Sequence, residues 1–297
     1  MEGGRGAGQA VVAFLALGGL RALALLPMGA RLAVAGWLGA RLVGPLTGVR
    51  RRAAGQIAEI CPELPPDEVA RIARGACGNA LRGIIETHAG RALLRHVAGT
   101  PVNGPGLEQL RAAQAEGQGA LILTGHFGSP HGARAAMCLS GTDVTVLYRP
   151  TPNGRINDAY HRALEEVSRP VFPRGRRGLA DMVRYLRGGG VIAILADQVP
   201  EQQGAWLRFF GRPALTSLAP AELAVKYGVP MLPGFATRQP DGSIVVEVEA
   251  EIPHGPADAM MQAYNDRLEA RIRSNMDQWL WMYPRWRAAR AGGPGST

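Results

Sequence analysis

The sequence is poor in cysteine, lysine and aromatic residues, and each shortage argues against a class of protein. The three cysteines, Cys61, Cys77 and Cys138, are odd in number and widely spaced, which argues against a disulfide framework and a cysteine-based zinc site. Aromatic residues make up only 6% of the 297 residues, and no basic stretch is interleaved with them, so we expect no nucleic-acid partner. Lys226 is the only lysine, so the net charge of +9 comes from arginine. This charge favours an anionic partner such as phospholipid headgroups or an acidic carrier.

Several catalytic motifs are also missing. There is no HExxH motif, and His126 and His131 in TGHFGSPHG supply only two of the three ligands that a zinc site needs. Ser129 does not lie in the G-x-S-x-G turn of a serine hydrolase. The glycines at 188–190 are not followed by the GK[ST] of a phosphate-binding loop. We therefore expect no metal and no cofactor.

Apolar residues are concentrated at the N-terminus. Residues 11–26 read VVAFLALGGLRALALL, and a second apolar run follows Pro27 at 31–46. The first run is short for a membrane span and is interrupted by Arg21. We expect residues 1–50 to form apolar helices that lie on or dip into a membrane, with Arg31, Arg41 and Arg50–Arg52 facing anionic headgroups. The alternative is a buried core helix.

The rest of the chain alternates between strand and helix patterns. Short apolar runs at 120–124, 144–148, 191–195 and 230–237 predict buried strands, and the segments between them have helical periodicity. Residues 243–252 alternate as a half-solvated strand does, and 258–281 predict a last long helix. The sequence therefore predicts one α/β domain over 51–290, with a largely parallel central sheet flanked by helices. Residues 291–297 predict a flexible tail.

The turn that follows ALILT is the main candidate for chemistry. Ligands of open α/β sheets bind at the carboxyl ends of the strands, and His126 lies at such an end. Gly125 and Gly128 allow a sharp turn into a helix near Pro130, whose N-terminus offers free N–H groups. Histidine at this place is suited to take a proton from a hydroxyl. A structural role for a histidine at a strand end is the alternative.

Several sequence blocks together resemble the bacterial lipid A biosynthesis acyltransferases and relatives that acylate phosphatidylinositol mannosides. The blocks are CPELPPDEVARIAR (61–74), NALRGIIE (79–86), TGHFGSP (124–130), YRPTPN (148–153), GGVIAILADQ (189–198), a long stretch at 209–235 and WLWMYPRWR (279–287). The resemblance implies a glycerolipid acyltransferase-like α/β fold. It also implies a transferase at the cytoplasmic face of the inner membrane, which moves a fatty acyl group from acyl-carrier protein or coenzyme A to a lipid hydroxyl.

The resemblance implies that His126 is the general base, with backbone N–H groups near Pro130 stabilising the oxyanion. The family places Asp or Glu where this chain has His131. Three explanations are open: His131 replaces the acid in a slower enzyme, another carboxylate (Glu86 or Asp197) reaches His126, or the protein has lost transfer and binds lipid. His131 and Asp197 are therefore catalytic candidates beside His126.

The same resemblance suggests residues that contact the substrates. Arg149 in YRP follows a strand end and suits a phosphate or carrier contact, and Gln198 accompanies Asp197 in ADQ. Glu86, Arg162 and Arg174 complete the predicted substrate-binding set.

Overall fold

A computed structural model describes residues 18–19, 22–200 and 203–290 of the chain. Most of the apolar run at 11–26 and the whole of the tail at 291–297 lie outside the described residues. The predictions for those two segments therefore remain predictions.

Two N-terminal helices meet at a sharp bend. Helix α1 spans Met28–Leu38 and continues through a π-helical segment to Leu46, and α2 spans Val49–Ile60. Within the described part of the chain, no single helix is both long enough and apolar enough to cross a bilayer. The two helices pass that test only as a pair, bent by 89°.

The N-terminal helices pack closely on α3, which spans Pro66–Thr87. A Cβ on Gly39 would lie 2.4 Å from the carbonyl oxygen of Cys77, so only glycine allows this approach of the two backbones. Helix α3 begins at Pro66 after Pro65, with Asp67 and Glu68 in its first turn, which is a typical start for a helix. Residues 28–60 are therefore joined to the α/β body through α3.

The predicted α/β sheet is confirmed. Seven strands lie in the order β1-β9-β8-β2-β5-β3-β4, and all neighbouring pairs are parallel except β8 and β9. The strands of this sheet are β1 Val102–Asn103, β2 Ala120–Thr124, β3 Val144–Tyr148, β4 Phe172–Pro173, β5 Val191–Leu195, β8 Met231–Arg238 and β9 Ile244–Val248. The predicted strands match because β2, β3 and β5 are almost entirely apolar, with one threonine each in β2 and β3, as is typical of strands covered on both faces.

Helices cover both faces of this sheet. The helices that follow α3 in the chain are α4 Arg91–His96, α5 Pro105–Ala115, α6 Pro130–Leu139, α7 Gly154–Glu165, α8 Arg176–Arg187, α9 Ala219–Tyr227, α10 Ala257–Ser274 and α11 Arg287–Arg290. Leu121 and Leu123 of β2 belong to a core that includes Tyr264 and Trp279. Ile122 faces the opposite way, into a core with Ala133 of α6.

The structure differs from the sequence interpretation at two places, a hairpin that was not predicted and a helix that ends earlier than predicted. Residues 205–216 form an antiparallel hairpin, β6 Ala205–Phe209 and β7 Arg212–Thr216, that the sequence did not indicate. Phe210 (φ 53°) and Gly211 (φ 70°) form its two-residue turn, which lacks the Asn-Gly or Asp-Gly signal of such turns. The last long helix ends at Ser274 instead of 281, because Asn275 leaves the helical region (φ −148°, ψ 62°). A short 3₁₀ turn and extended Trp279 follow.

Candidate active site

The turn between β2 and α6 is held by its backbone. Gly128 has φ 57°, and a Cβ there would lie 1.8 Å from the carbonyl oxygen of Ala236, so no other residue fits. Its N–H donates to Gln278 O (2.9 Å), and the N–H of Ser129 donates to Ala236 O (3.0 Å). The position of His126 is thereby fixed from both β8 and the C-terminal segment.

His126 forms a hydrogen-bonded pair with Asp197. The parallel register places Thr124 beside Leu195, so the residues two positions beyond each strand end meet at the carboxyl edge of the sheet. His126 Nδ1 lies 2.7 Å from Asp197 Oδ1, and the His126 backbone N–H donates to Asp197 Oδ2 at 2.7 Å. The indole N–H of Trp279 donates to the same Oδ2 at 2.9 Å.

This contact sets the tautomer of His126. The ionised carboxylate only accepts, so Nδ1 carries the ring proton and Nε2 has the free lone pair. The amide nitrogen of Gln198 lies 3.3 Å from Nε2, and 32% of the His126 side chain is exposed. The arrangement leaves Nε2 unprotonated on a partly exposed side chain, supported from behind by a buried carboxylate, as in the His–Asp part of a catalytic triad.

The charges of the pair support each other. Burial alone would lower the pKa of His126, but the charge of Asp197 and its hydrogen bond raise that pKa above its ordinary value. Burial alone would raise the pKa of Asp197, but the charge of His126 and the hydrogen bonds from His126 and Trp279 lower it. Asp197 is therefore ionised at neutral pH, and His126 titrates above 6.5.

His131 does not take the place of a carboxylate beside His126. Its Nε2 lies 2.8 Å from Thr87 Oγ1, and that hydroxyl donates to Gly83 O at 2.8 Å. The Thr87 oxygen therefore accepts the Nε2–H of His131. Burial, reinforced by nearby positive groups such as Arg134 and His126, lowers the pKa of His131 to about 3. His131 is consequently neutral, and Asp197 is the acid that contacts His126.

Glu86 is engaged in a buried ion pair instead of facing an open site. Arg238 binds both of its oxygens at 2.8 Å, and Ser129 Oγ donates to Oε1 at 2.8 Å. Arg238 Nε also contacts Asn79, whose amide donates to the carbonyls of Gly128 (3.2 Å) and Gln278 (2.8 Å). Glu86 thus braces the His126 turn, and it does not contact His126.

The predicted arginines occupy different parts of the sheet edge. Arg149 and Arg174 are exposed and follow β3 and β4, which lie two and three strands from β2 in the sheet. Both therefore lie at the carboxyl edge, roughly 10 and 14 Å from β2 at the usual strand spacing. Arg162 lies in the last turn of α7. Because α7 runs back from the carboxyl edge, it carries Arg162 away from His126.

The comparisons with known proteins identify the family of the chain. A family model described as bacterial lipid A biosynthesis acyltransferase matches residues 7–288. The chain belongs to this family. Phosphatidylinositol mannoside acyltransferases from two strains of Mycobacterium tuberculosis are 30% identical over 190 residues, which is 62% of this chain and 59% of theirs. The enzyme of the same name from Mycolicibacterium smegmatis is 25% identical over 184 residues, 61% of this chain and 60% of that one. The chain spans about three fifths of the length of these relatives.

Some parts of the candidate site were not predicted from the sequence. The sequence did not point to three of its residues. Trp279 binds Asp197, Thr87 binds His131, and Arg238 binds Glu86. The block WLWMYPRWR was the available signal for Trp279, because tryptophan side chains are large and their N–H groups usually have a hydrogen-bond partner when buried. Among the described residues, no group of three or more His, Cys, Asp or Glu side chains could hold a metal ion.

Proposed function

We propose that the protein is a membrane-associated acyltransferase. It moves a fatty acyl group from an acyl thioester, carried by acyl-carrier protein or coenzyme A, to a hydroxyl of a glycolipid or lipid A-type acceptor. The observation that carries this proposal is the His126–Asp197 pair at the carboxyl edge of the sheet, with the His126 side chain partly exposed. Family membership and the names of the mannoside acyltransferases support the reaction class and a glycolipid acceptor.

In the proposed mechanism His126 is the general base and no covalent enzyme intermediate forms. Nε2 takes the proton of the acceptor hydroxyl as its oxygen bonds to the thioester carbonyl carbon. The carbon–sulfur bond then breaks, and the imidazolium returns the proton to the leaving thiolate. Asp197 holds the ring and stabilises its positive charge while the proton resides there.

The set of N–H groups proposed to stabilise the oxyanion is smaller than the sequence suggested. Gly128 and Ser129 already donate their N–H groups to carbonyl oxygens. Pro130 has no N–H, and the N–H groups of His131 and Gly132 in the first turn of α6 have no partner within the helix. We assign oxyanion stabilisation to this first turn, where the helix dipole is also favourable.

Exposed apolar residues support the proposed membrane association. Trp37 is 58% exposed and Leu46 83%, both on the N-terminal helices, and Leu25 before them is 88% exposed. Arg31 and Arg41 lie in the same segment. This pairing of apolar and basic residues is typical of segments at an anionic membrane surface. We place the protein at the cytoplasmic face of the inner membrane, where both types of acyl donor occur.

One observation favours a second candidate, a lipid-binding protein that no longer transfers acyl groups. His131 occupies the position where the family has an acid. Asp197 weakens this alternative because it supplies a carboxylate to His126 from another strand.

An acyl-transfer assay separates the two functions. Wild type and two variants are given radiolabelled acyl-carrier protein or acyl-coenzyme A with membrane lipid extract, and labelled lipid is measured. His126→Ala should abolish transfer. His254→Ala, a histidine that contacts Val229 O before β8, is the matched control and should retain it. Transfer by His126→Ala at the wild-type rate would refute the mechanism, and no transfer by wild type with either donor would favour lipid binding.

A further inference from the structure

A groove lies between the bent N-terminal helices and α3. Its volume is about 520 Å³. It opens between the end of the α1 segment, α2 and the first half of α3. We call it the arginine groove, and its lining residues are Pro45, Arg50, Arg51, Ala54, Ala70, Ala73 and Arg74.

The charge of the groove is uncompensated. Arg50, Arg51 and Arg74 are all exposed, and none forms an ion pair within the part of the chain that the structure describes. Asp67, the acidic residue one turn before Ala70 on α3, forms no ion pair with these arginines in the described part of the chain. Three guanidinium groups around one opening repel each other and favour an anion, and arginine matches the geometry of phosphate oxygens in particular.

The rim of the groove is apolar. Leu42, Val43 and Leu46, on the segment that carries Pro45, are 43%, 41% and 83% exposed. A soluble phosphate compound gains nothing from such neighbours. A phospholipid presents a phosphate and acyl chains side by side, so its headgroup matches the arginines and its chains match the rim.

The groove is separate from the proposed active site. Arg74 lies on α3, twelve residues before Glu86, which braces the His126 turn. That spacing corresponds to roughly 18 Å along the helix. A lipid held in the groove would therefore orient the protein on the membrane and leave the exposed face of His126 accessible.

We propose that the arginine groove binds the phosphate headgroup of an anionic phospholipid and so docks the protein on the bilayer in one orientation. This deepens the membrane association proposed above and rests on it, but it does not depend on the acyl-transfer chemistry.

Vesicle binding tests the groove with two matched triple variants of the full chain. Arg50→Gln/Arg51→Gln/Arg74→Gln removes its charges. Arg111→Gln/Arg187→Gln/Lys226→Gln removes the same net charge from α5, α8 and α9, and circular dichroism checks that both variants fold. Sedimentation is measured with vesicles of phosphatidylcholine alone and with 30 mol% phosphatidylglycerol, roughly a physiological anionic content.

We expect wild type and the control triple to bind the anionic vesicles much more tightly than the neutral ones. Each arginine near an anionic surface contributes about fivefold in partitioning, so the groove variant should bind about 100-fold more weakly. Equal losses in both triples would show a general charge effect and overturn the proposal, as would unchanged binding by the groove variant. His126→Ala should bind vesicles as wild type does, so this result and a failure of acyl transfer are distinguishable.

Discussion

Replacing Asp197 by Asn tests whether the carboxylate sets the working tautomer of His126. In the wild type, Oδ2 accepts two N–H groups, from the His126 backbone (2.7 Å) and from Trp279 (2.9 Å), while Oδ1 accepts from His126 Nδ1. The asparagine amide has one oxygen and one NH₂ group, so it can serve only one of these two directions.

The two donors on the Oδ2 side decide how the amide is oriented. Turning the NH₂ group toward them leaves two buried N–H groups unsatisfied, which costs about 1–3 kcal/mol for each group. The amide oxygen therefore occupies the Oδ2 position and the NH₂ group faces His126 Nδ1. A group that only donates forces Nδ1 to accept, so the ring proton moves to Nε2. The nitrogen that should act as base is then protonated.

The expected loss of activity is large. The same substitution in a serine-protease triad, which also imposes the wrong tautomer, reduces turnover about 10⁴-fold. We expect a comparable reduction in acyl transfer for Asp197→Asn. Asp197→Ala should lose less activity, because alanine removes the support for the ring but imposes no tautomer on it.

The pH dependence provides a second measurement. The wild-type base is neutral only above a pKa that Asp197 raises beyond 6.5, so transfer should fall as pH decreases through that value. Without the carboxylate, burial alone acts on His126 and lowers its pKa, so any residual activity should persist to lower pH. Steady-state rates between about pH 5 and 9, with ¹⁵N NMR of the histidine ring nitrogens to identify the tautomer, check both points. Activity of Asp197→Asn within tenfold of wild type, with an unchanged pH profile, would refute the reasoning.

Much of the fold follows from local patterns in the sequence. ALILT, VTVLY and VIAIL are strands with the predicted bounds, because a strand buried on both faces is apolar at nearly every position. The turn at His126 was also recognisable, because Gly125 and Gly128 follow the strand and precede Pro130, which suits a sharp turn into a helix. These features depend on a few neighbouring residues, which the sequence shows directly.

The partners within the site depend on contacts that are distant in the sequence. Asp197 is 71 residues from His126, and Trp279 is 82 residues from Asp197. The sequence placed Asp197 at the correct edge of the sheet. It did not reveal that β2 and β5 are neighbours in a register that aligns Thr124 with Leu195. The choice among Glu86, His131 and Asp197 as partner of the base therefore required the structure.

Three further predictions concern the residues around the His126–Asp197 pair. Trp279→Phe removes a hydrogen bond to the Asp197 carboxylate, so the carboxylate becomes a stronger acceptor for His126. The acid limb of the pH–rate profile should then move to higher pH by about one unit. An unchanged limb would argue against this contact. Arg238→Met leaves the Glu86 charge buried without its partner, which should lower the free energy of unfolding by about 3–5 kcal/mol. The melting temperature in calorimetry should fall by about 10 °C. Adding Glu86→Leu to this variant should recover most of the lost stability. His131→Glu restores an acid at the position where the family has one. His131 is neutral because burial and nearby positive groups lower its pKa to about 3. The same positive groups would stabilise a carboxylate there, as would the N-terminal end of α6. We therefore expect this variant to keep transfer activity within about threefold and to shift the acid limb to higher pH, since a nearby negative charge stabilises the protonated base. Complete loss of transfer in a folded protein would instead show that transfer requires the neutral imidazole and its hydrogen bond to Thr87.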